Sequence, residues 1–106
     1  MAGLRGDSIT EPSNRDVQFR ALASEQRRAL LLFLLDEYPS SVPLDAAVAH
    51  VATATNRSHE QTELEIRHTH LPVLDDAGLV TLDSADEDEL LAYSGGGFVQ
   101  DVLELL

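Results

Sequence analysis

Apolar residues recur along this chain with helical spacing in several stretches and crowd together as strands do in two. Val17, Phe19, Ala21 and Leu22 predict a short lead-in helix, and Ser13-Asn14-Arg15-Asp16 before them resembles a helix start with Asp16 as capping-box acid. Ser24 is a second N-cap, with Glu25 well placed for the first turn. From Ala29 to Leu35 the chain is almost solidly apolar. Leu30, Phe33, Leu34 and Tyr38 share one face and Leu31 and Leu35 a second, which predicts a helix buried on more than one side. Pro39 ends it. Ser40-Ser41-Val42 reads as a short strand or a loop, and Pro43 suits the first turn of the next helix. There Leu44, Ala47, Val48, Val51 and Ala52 form an i, i+3, i+4, i+7, i+8 stripe. Thr53 to Arg57 is a polar turn.

The most informative stretch is Ser58 to Leu82. Ser58 is an N-cap, Gln61 completes a capping box, and Leu64, His68, Leu71 and Leu74 recur at helical spacing. Gly78 follows Ala77 where a left-handed residue would stop the helix, and Leu79-Val80-Thr81-Leu82 reads as a strand. Asp83 to Asp88 is an acidic turn, and Glu89 to Tyr93 is the returning strand. The expected fold is therefore α+β, mostly α: a winged helix-turn-helix with a two-stranded wing and a C-terminal helix. Residues 1–13 are an expected flexible tail, 14–93 the winged domain, and 94–106 a glycine linker and C-terminal helix. The stripe Phe98, Val99, Val102, Leu103 and Leu106 on that helix needs a cover. The protein's own body or a second copy would supply it, so homodimerisation is expected.

Composition narrows the function. The 106 residues contain no cysteine, which excludes disulfides, thiolate metal sites and cysteine nucleophiles. No apolar run approaches the roughly 20 residues of a membrane span, and residues 1–16 lack the apolar core of a signal peptide, so a cytoplasmic location is expected. Nineteen acids face seven bases, giving a net charge of −12, and every base is arginine. An acidic, lysine-free chain rich in alanine and leucine fits concentrated salt, where a Debye length of about 3 Å at 1 M screens self-repulsion. An extreme halophile is the expected source; an acidic protein from a GC-rich genome is the alternative. Residues 1–40 carry five arginines and six acids, net −1; residues 41–106 carry two and thirteen, net −11. Bulk attraction to phosphate does not act on that second part.

Local chemistry remains. A helix-turn-helix presents the start of its recognition helix to the major groove. Here the outward candidates for DNA binding are Arg57, Ser58, His59, Gln61, Thr62, Arg67 and Thr69, with Gln61 suited to adenine and Arg67 to guanine or phosphate. Glu60, Glu63 and Glu65 on the same helix oppose phosphate. The wing tip, Asp83 and Asp86 to Glu89, has no base, which argues against minor-groove insertion and for a solvated acidic turn or a surface for a cation or a basic partner. His68 and His70 lie about 200° apart on a helix, and the i, i+4 spacing of helical zinc ligands is missing among the histidines. Packing or capping is their expected role, with His68 on the core face; no metal or cofactor is expected. Pro72 should kink its helix and split it after His70. Arg20, Arg27 and Arg28 either hold phosphate or pair with Glu25, Asp36 or other acids, the second being favoured. No nucleophile motif, phosphate loop or carboxylate pair supports an enzyme.

Two motifs carry a family resemblance. Leu22-Ala23-Ser24-Glu25-Gln26-Arg27-Arg28-Ala29-Leu30 is similar to the first helix of ArsR-like winged-helix regulators. Arg67-His68-Thr69-His70-Leu71-Pro72, with Leu74 and Ala77-Gly78-Leu79-Val80, resembles the His-x-His-Leu-Pro-x-Leu signature of an uncharacterised haloarchaeal winged-helix family. The resemblance spans about residues 16–93. It implies a DNA-binding transcriptional regulator of a halophilic archaeon, with the helix beginning near Ser58 as recognition helix. The alternative is a winged-helix protein–protein interaction module without direct DNA binding.

Overall fold

The structure is a computed structural model that describes residues 14–84 and 88–105, without the side chains of residues 14–16 and Phe98. The tail 1–13, the Ser13 cap, Asp86 and Glu87 of the wing tip, and Leu106 lie outside the described residues. Helices α1 (Asn14–Ala21), α2 (Glu25–Glu37) and α3 (Leu44–Thr55) are followed by α4 (His59–Glu65), a π-helical turn (Ile66–His70) and α5 (Leu71–Asp76). Strands β1 (Val42–Pro43), β2 (Val80–Asp83) and β3 (Leu90–Tyr93) form one antiparallel sheet in the order β1-β3-β2, and α6 (Gly97–Leu105) closes the chain. This is a mostly helical α+β winged helix-turn-helix.

Local signals set the boundaries. Ser24 Oγ accepts from the backbone N–H of Arg27 at 3.3 Å, so α2 begins where a hydroxyl meets an orphan donor. Pro39 has no N–H to extend it. Asn56 closes α3 in the left-handed conformation, φ 57°, which asparagine tolerates better than most residues. At the end of α5, Gly78 takes φ 74°; its N–H bonds Asp75 O at 3.0 Å and that of Leu79 bonds Leu74 O at 2.9 Å. That pair of bonds is a Schellman stop, and it turns the chain directly into β2.

The core is aliphatic. The whole stripe Leu44, Ala47, Val48, Val51 and Ala52 of α3 is buried, and so are Leu30, Leu31 and Leu34 of α2. Two faces of α2 are covered, as its sequence requires. Tyr38, expected on the buried face, lies past the helix end and is exposed, edge-on to Tyr93. The expected two-stranded wing is β2 and β3, and the stretch read as a short strand or a loop adds a third strand, β1. Val42 pairs with Leu91, and the N–H of Leu44 donates to Glu89 O at 2.8 Å, so the short stretch before α3 becomes an edge strand.

The C-terminal region is tied to the domain. Val99 and Leu103 enter the same core as α2 and β3, so the protein's own body covers that part of the stripe. The expected flexible break at Ser94–Gly97 is held down: Ser94 N donates to Leu79 O at 2.9 Å and Tyr93 OH to Gly96 O at 2.8 Å. A Cβ on Gly95 would stand 2.6 Å from Tyr93 Oη and 2.7 Å from Leu79 Cδ2, both on buried side chains. Gly95→Ala should therefore destabilise by about 2 kcal/mol through forced repacking. Urea denaturation would show it as a lower midpoint with an unchanged slope.

Candidate nucleic-acid interface

The segment from Ser58 to Asp76 is one helical rod with a one-residue defect. Ser58 Oγ accepts from Gln61 N at 3.1 Å, fixing the start. The Gln61 side chain, expected to close the box, is turned to Glu65 instead. Further along, Pro72 lacks an N–H, and its ring would crowd the carbonyl four residues back. The chain answers with a wider turn at Ile66–His70, in which Leu71 N bonds Ile66 O. A π turn inserts one extra residue and rotates the preceding half relative to α5.

That rotation corrects the expected core face. Leu71 and Leu74 are buried, but the buried residues of α4 and the π turn are Thr62, Ile66 and His70, not Leu64 and His68. Leu64 is 59% exposed, and His68 faces solvent. The expectation for His68 belongs to His70. Thr62, expected to face outward, is fully buried, and its hydroxyl has no hydrogen-bond partner among the described atoms. Arg57, Ser58, His59, Gln61, Arg67 and Thr69 are all exposed, as are Glu60 and Leu64.

Both arginines of this surface are engaged. Arg57 lies 3.4 Å from Glu65. Arg67 grips Glu89 through both terminal nitrogens, at 3.0 and 2.5 Å, and its Nε donates to Glu63 at 3.1 Å. These carboxylates push the Arg67 guanidinium pKa above its ordinary value, and Arg67 in turn lowers that of Glu89. The pair joins the π turn to the root of the wing. His59 makes a looser contact with Asp45 of α3, at 3.2 Å across the helix-turn-helix.

Behind the exposed face runs a buried polar chain. His70 Nδ1 lies 3.2 Å from Arg27 Nη1, and His70 Nε2 lies 2.5 Å from Gln26 Oε1. A guanidinium can only donate, so Nδ1 accepts and Nε2 carries the proton. Gln26 then donates to Glu65 Oε1 at 2.9 Å. Burial, and next the charge of Arg27, push the His70 pKa below its ordinary value. Arg27 also donates from Nε to Ala21 O at 2.7 Å and from Nη2 to Arg20 O at 3.2 Å, and Arg28 reaches Leu22 O at 2.9 Å. The expected acid partners of Arg27 and Arg28 are thus replaced by carbonyls at the end of α1, which a helix leaves unpaired. Arg20 sits on α1, apart from the other two. Gln26 carries no sequence signal of this role, and His70 takes the buried place expected of His68.

Of the other histidines, His50 stacks on Phe33 with ring centroids 4.5 Å apart. Among the described residues no three histidine, aspartate or glutamate side chains are placed to hold an ion. No described helix is long and apolar enough to cross a membrane.

Solved structures share this fold. Reduced HlyU from Vibrio cholerae N16961 superposes with a TM-score of 0.58 at 22% identity, over 100% of this chain and 94% of that one. A second HlyU structure from the same organism gives 0.55 at 21%, over 99% and 92%. The third is the homodimeric winged helix-turn-helix DNA-binding domain of Mb0332 from Mycobacterium bovis, a possible ArsR-family transcriptional regulator. It gives 0.58 at 21%, over 99% of this chain and 85% of that one. At these identities the likeness speaks to fold. Among curated protein sequences none matches significantly. Residues 19–89 match a family described as a domain of unknown function, and the chain belongs to that family, DUF7344.

Proposed function

We propose that this chain is a DNA-binding transcriptional regulator of a halophilic archaeon, with the helix that begins at Ser58 as its recognition helix. The observation that carries the reading is the outward face of that helix. Arg57, Ser58, His59, Gln61, Arg67 and Thr69 are exposed on a capped helical segment that Thr62, Ile66 and His70 fix in the core. That is the arrangement by which a helix-turn-helix enters a major groove. A homodimer fits the reading: Leu32 of α2 and Leu105 of α6 are exposed beside the groove between these helices, and a second copy would cover them.

The test is fluorescence anisotropy of labelled genomic fragments, including the protein's own promoter, in molar KCl. Saturable binding is expected, weakened on the order of tenfold by Arg57→Ala/Arg67→Ala through lost base and phosphate contacts. Binding indifferent to the double substitution would move the site toward Arg20 and Arg28. No binding by folded protein would favour the second reading, a protein–protein interaction module. That reading draws on the glutamate partners of Arg57 and Arg67 and on the exposed Leu64 between them.

A further inference from the structure

We propose that Arg67 is a phosphate-binding site held closed by the protein's own Glu89, which occupies the guanidinium fork until a phosphate ester displaces it. The proposal rests on the DNA-binding reading only for the source of that ester.

The geometry carries it. Arg67 offers its two terminal nitrogens to the two oxygens of Glu89, at 3.0 and 2.5 Å. This fork-to-fork contact is the one that arginine makes equally well with the two free oxygens of a phosphodiester. Glu63, one helical turn back, accepts from Nε at 3.1 Å. The two carboxylates therefore have different roles. Glu63 aims the arginine from the same helix, whereas Glu89 reaches it from the root of the wing.

Exchange is physically accessible. The side chains of Arg67 and Glu89 are 38% and 31% exposed. Neither ion becomes a bare buried charge when the pair opens, and solvent-screened pairs hold weakly. Pairing also has a cost for nucleic acid. While Glu89 fills the fork, an approaching phosphate meets Glu63, Asp88 and Asp45 around the same cleft and no free guanidinium. Arg67 contributes attraction only after Glu89 leaves. Loss of the Glu89 charge should thus open the site, and loss of an acid on the Arg67 helix that does not touch the fork should not. Glu60 is that acid: exposed, on the outward face, and one turn from Glu63 in the direction away from Arg67.

The experiment uses the full chain as wild type, Glu89→Gln, Glu60→Gln and Glu89→Gln/Arg67→Ala. The Arg67 Nε–H resonance is followed by NMR as inorganic phosphate is added, and duplex binding is measured in parallel by anisotropy. Phosphate should shift the resonance in Glu89→Gln at concentrations that leave wild type and Glu60→Gln unmoved. Duplex affinity should rise roughly tenfold for Glu89→Gln and about twofold for Glu60→Gln, whose effect is bulk charge alone. The double variant should lose the larger gain. An unmoved resonance in Glu89→Gln, or equal gains from the two glutamine variants, would overturn the proposal in favour of a permanent tie between helix and wing. Phosphate capture without duplex binding by any variant would leave the closed anion site standing and sink the DNA reading instead.

Discussion

His70→Ala will lower the free energy of unfolding by about 3 kcal/mol, combining a cavity with orphaned polar partners. His70 is 7% exposed and connects three elements: the π turn that carries it, α2 through Arg27 and Gln26, and α4 through Gln26 and Glu65. Truncation leaves the Gln26 amide carbonyl without its donor and one Arg27 N–H without its acceptor. The surroundings cannot collapse to compensate, because Arg27 is also fixed to the carbonyls of Arg20 and Ala21. Urea denaturation near pH 8 reads the difference; a loss below about 1 kcal/mol would show that solvent replaces these bonds at little cost.

The same residue sets a pH dependence. Its folded pKa lies below the ordinary 6.5, owing to burial and then to Arg27; Glu65 opposes that shift and Arg57 adds to it. Below 6.5 the unfolded chain takes up a proton that the folded chain refuses, since a protonated Nδ1 would face the Arg27 N–H. The stabilisation is therefore complete above pH 6.5 and is lost as pH falls below it. Wild type should lose stability between pH 7.5 and 5.5, and His70→Ala should lose less. The comparison isolates His70 from His50, His59 and His68, which both proteins retain.

Helical spacing and end signals made most of the fold readable. The α3 stripe, the Ser24 and Ser58 caps and the Gly78 stop each rest on interactions within a few residues, and each is where the sequence places it. Three features resisted. β1 is two residues long and exists only because Leu91 lies opposite Val42, a contact 49 positions away in the chain. A regular helix from Ser58 onward would put His68 in the core, and one inserted residue before Pro72 exchanges the places of His68 and His70. The arginines of α2 were expected to meet phosphate or acids, whereas the end of the preceding helix offers them unpaired carbonyls. At the candidate interface, residue types named the exposed groups other than Thr62. They did not reveal that Arg67 would meet Glu89, which is distant in sequence and brought near by the hairpin.

Leu91→Ala should destabilise the domain by about 3 kcal/mol, at the level of a fully buried leucine in a core that cannot close over the gap. Leu91 has no exposed surface and sits in the central strand, paired with Val42 of β1 on one side and Leu82 of β2 on the other. With Val42, Val80 and Tyr93 it joins the sheet to the helical core. Its truncation removes contacts on which both neighbouring strands depend, so the loss should be concentrated in the wing. Amide exchange is the discriminating measurement. Thr81, Ala92 and the Leu44 N–H that bonds Glu89 O should lose protection well before the amides of α3. Uniform loss across sheet and helices would instead mean that the wing and the helical body unfold as one unit. In that case the Arg67–Glu89 contact could open only by side-chain exchange, without any freedom of the wing itself.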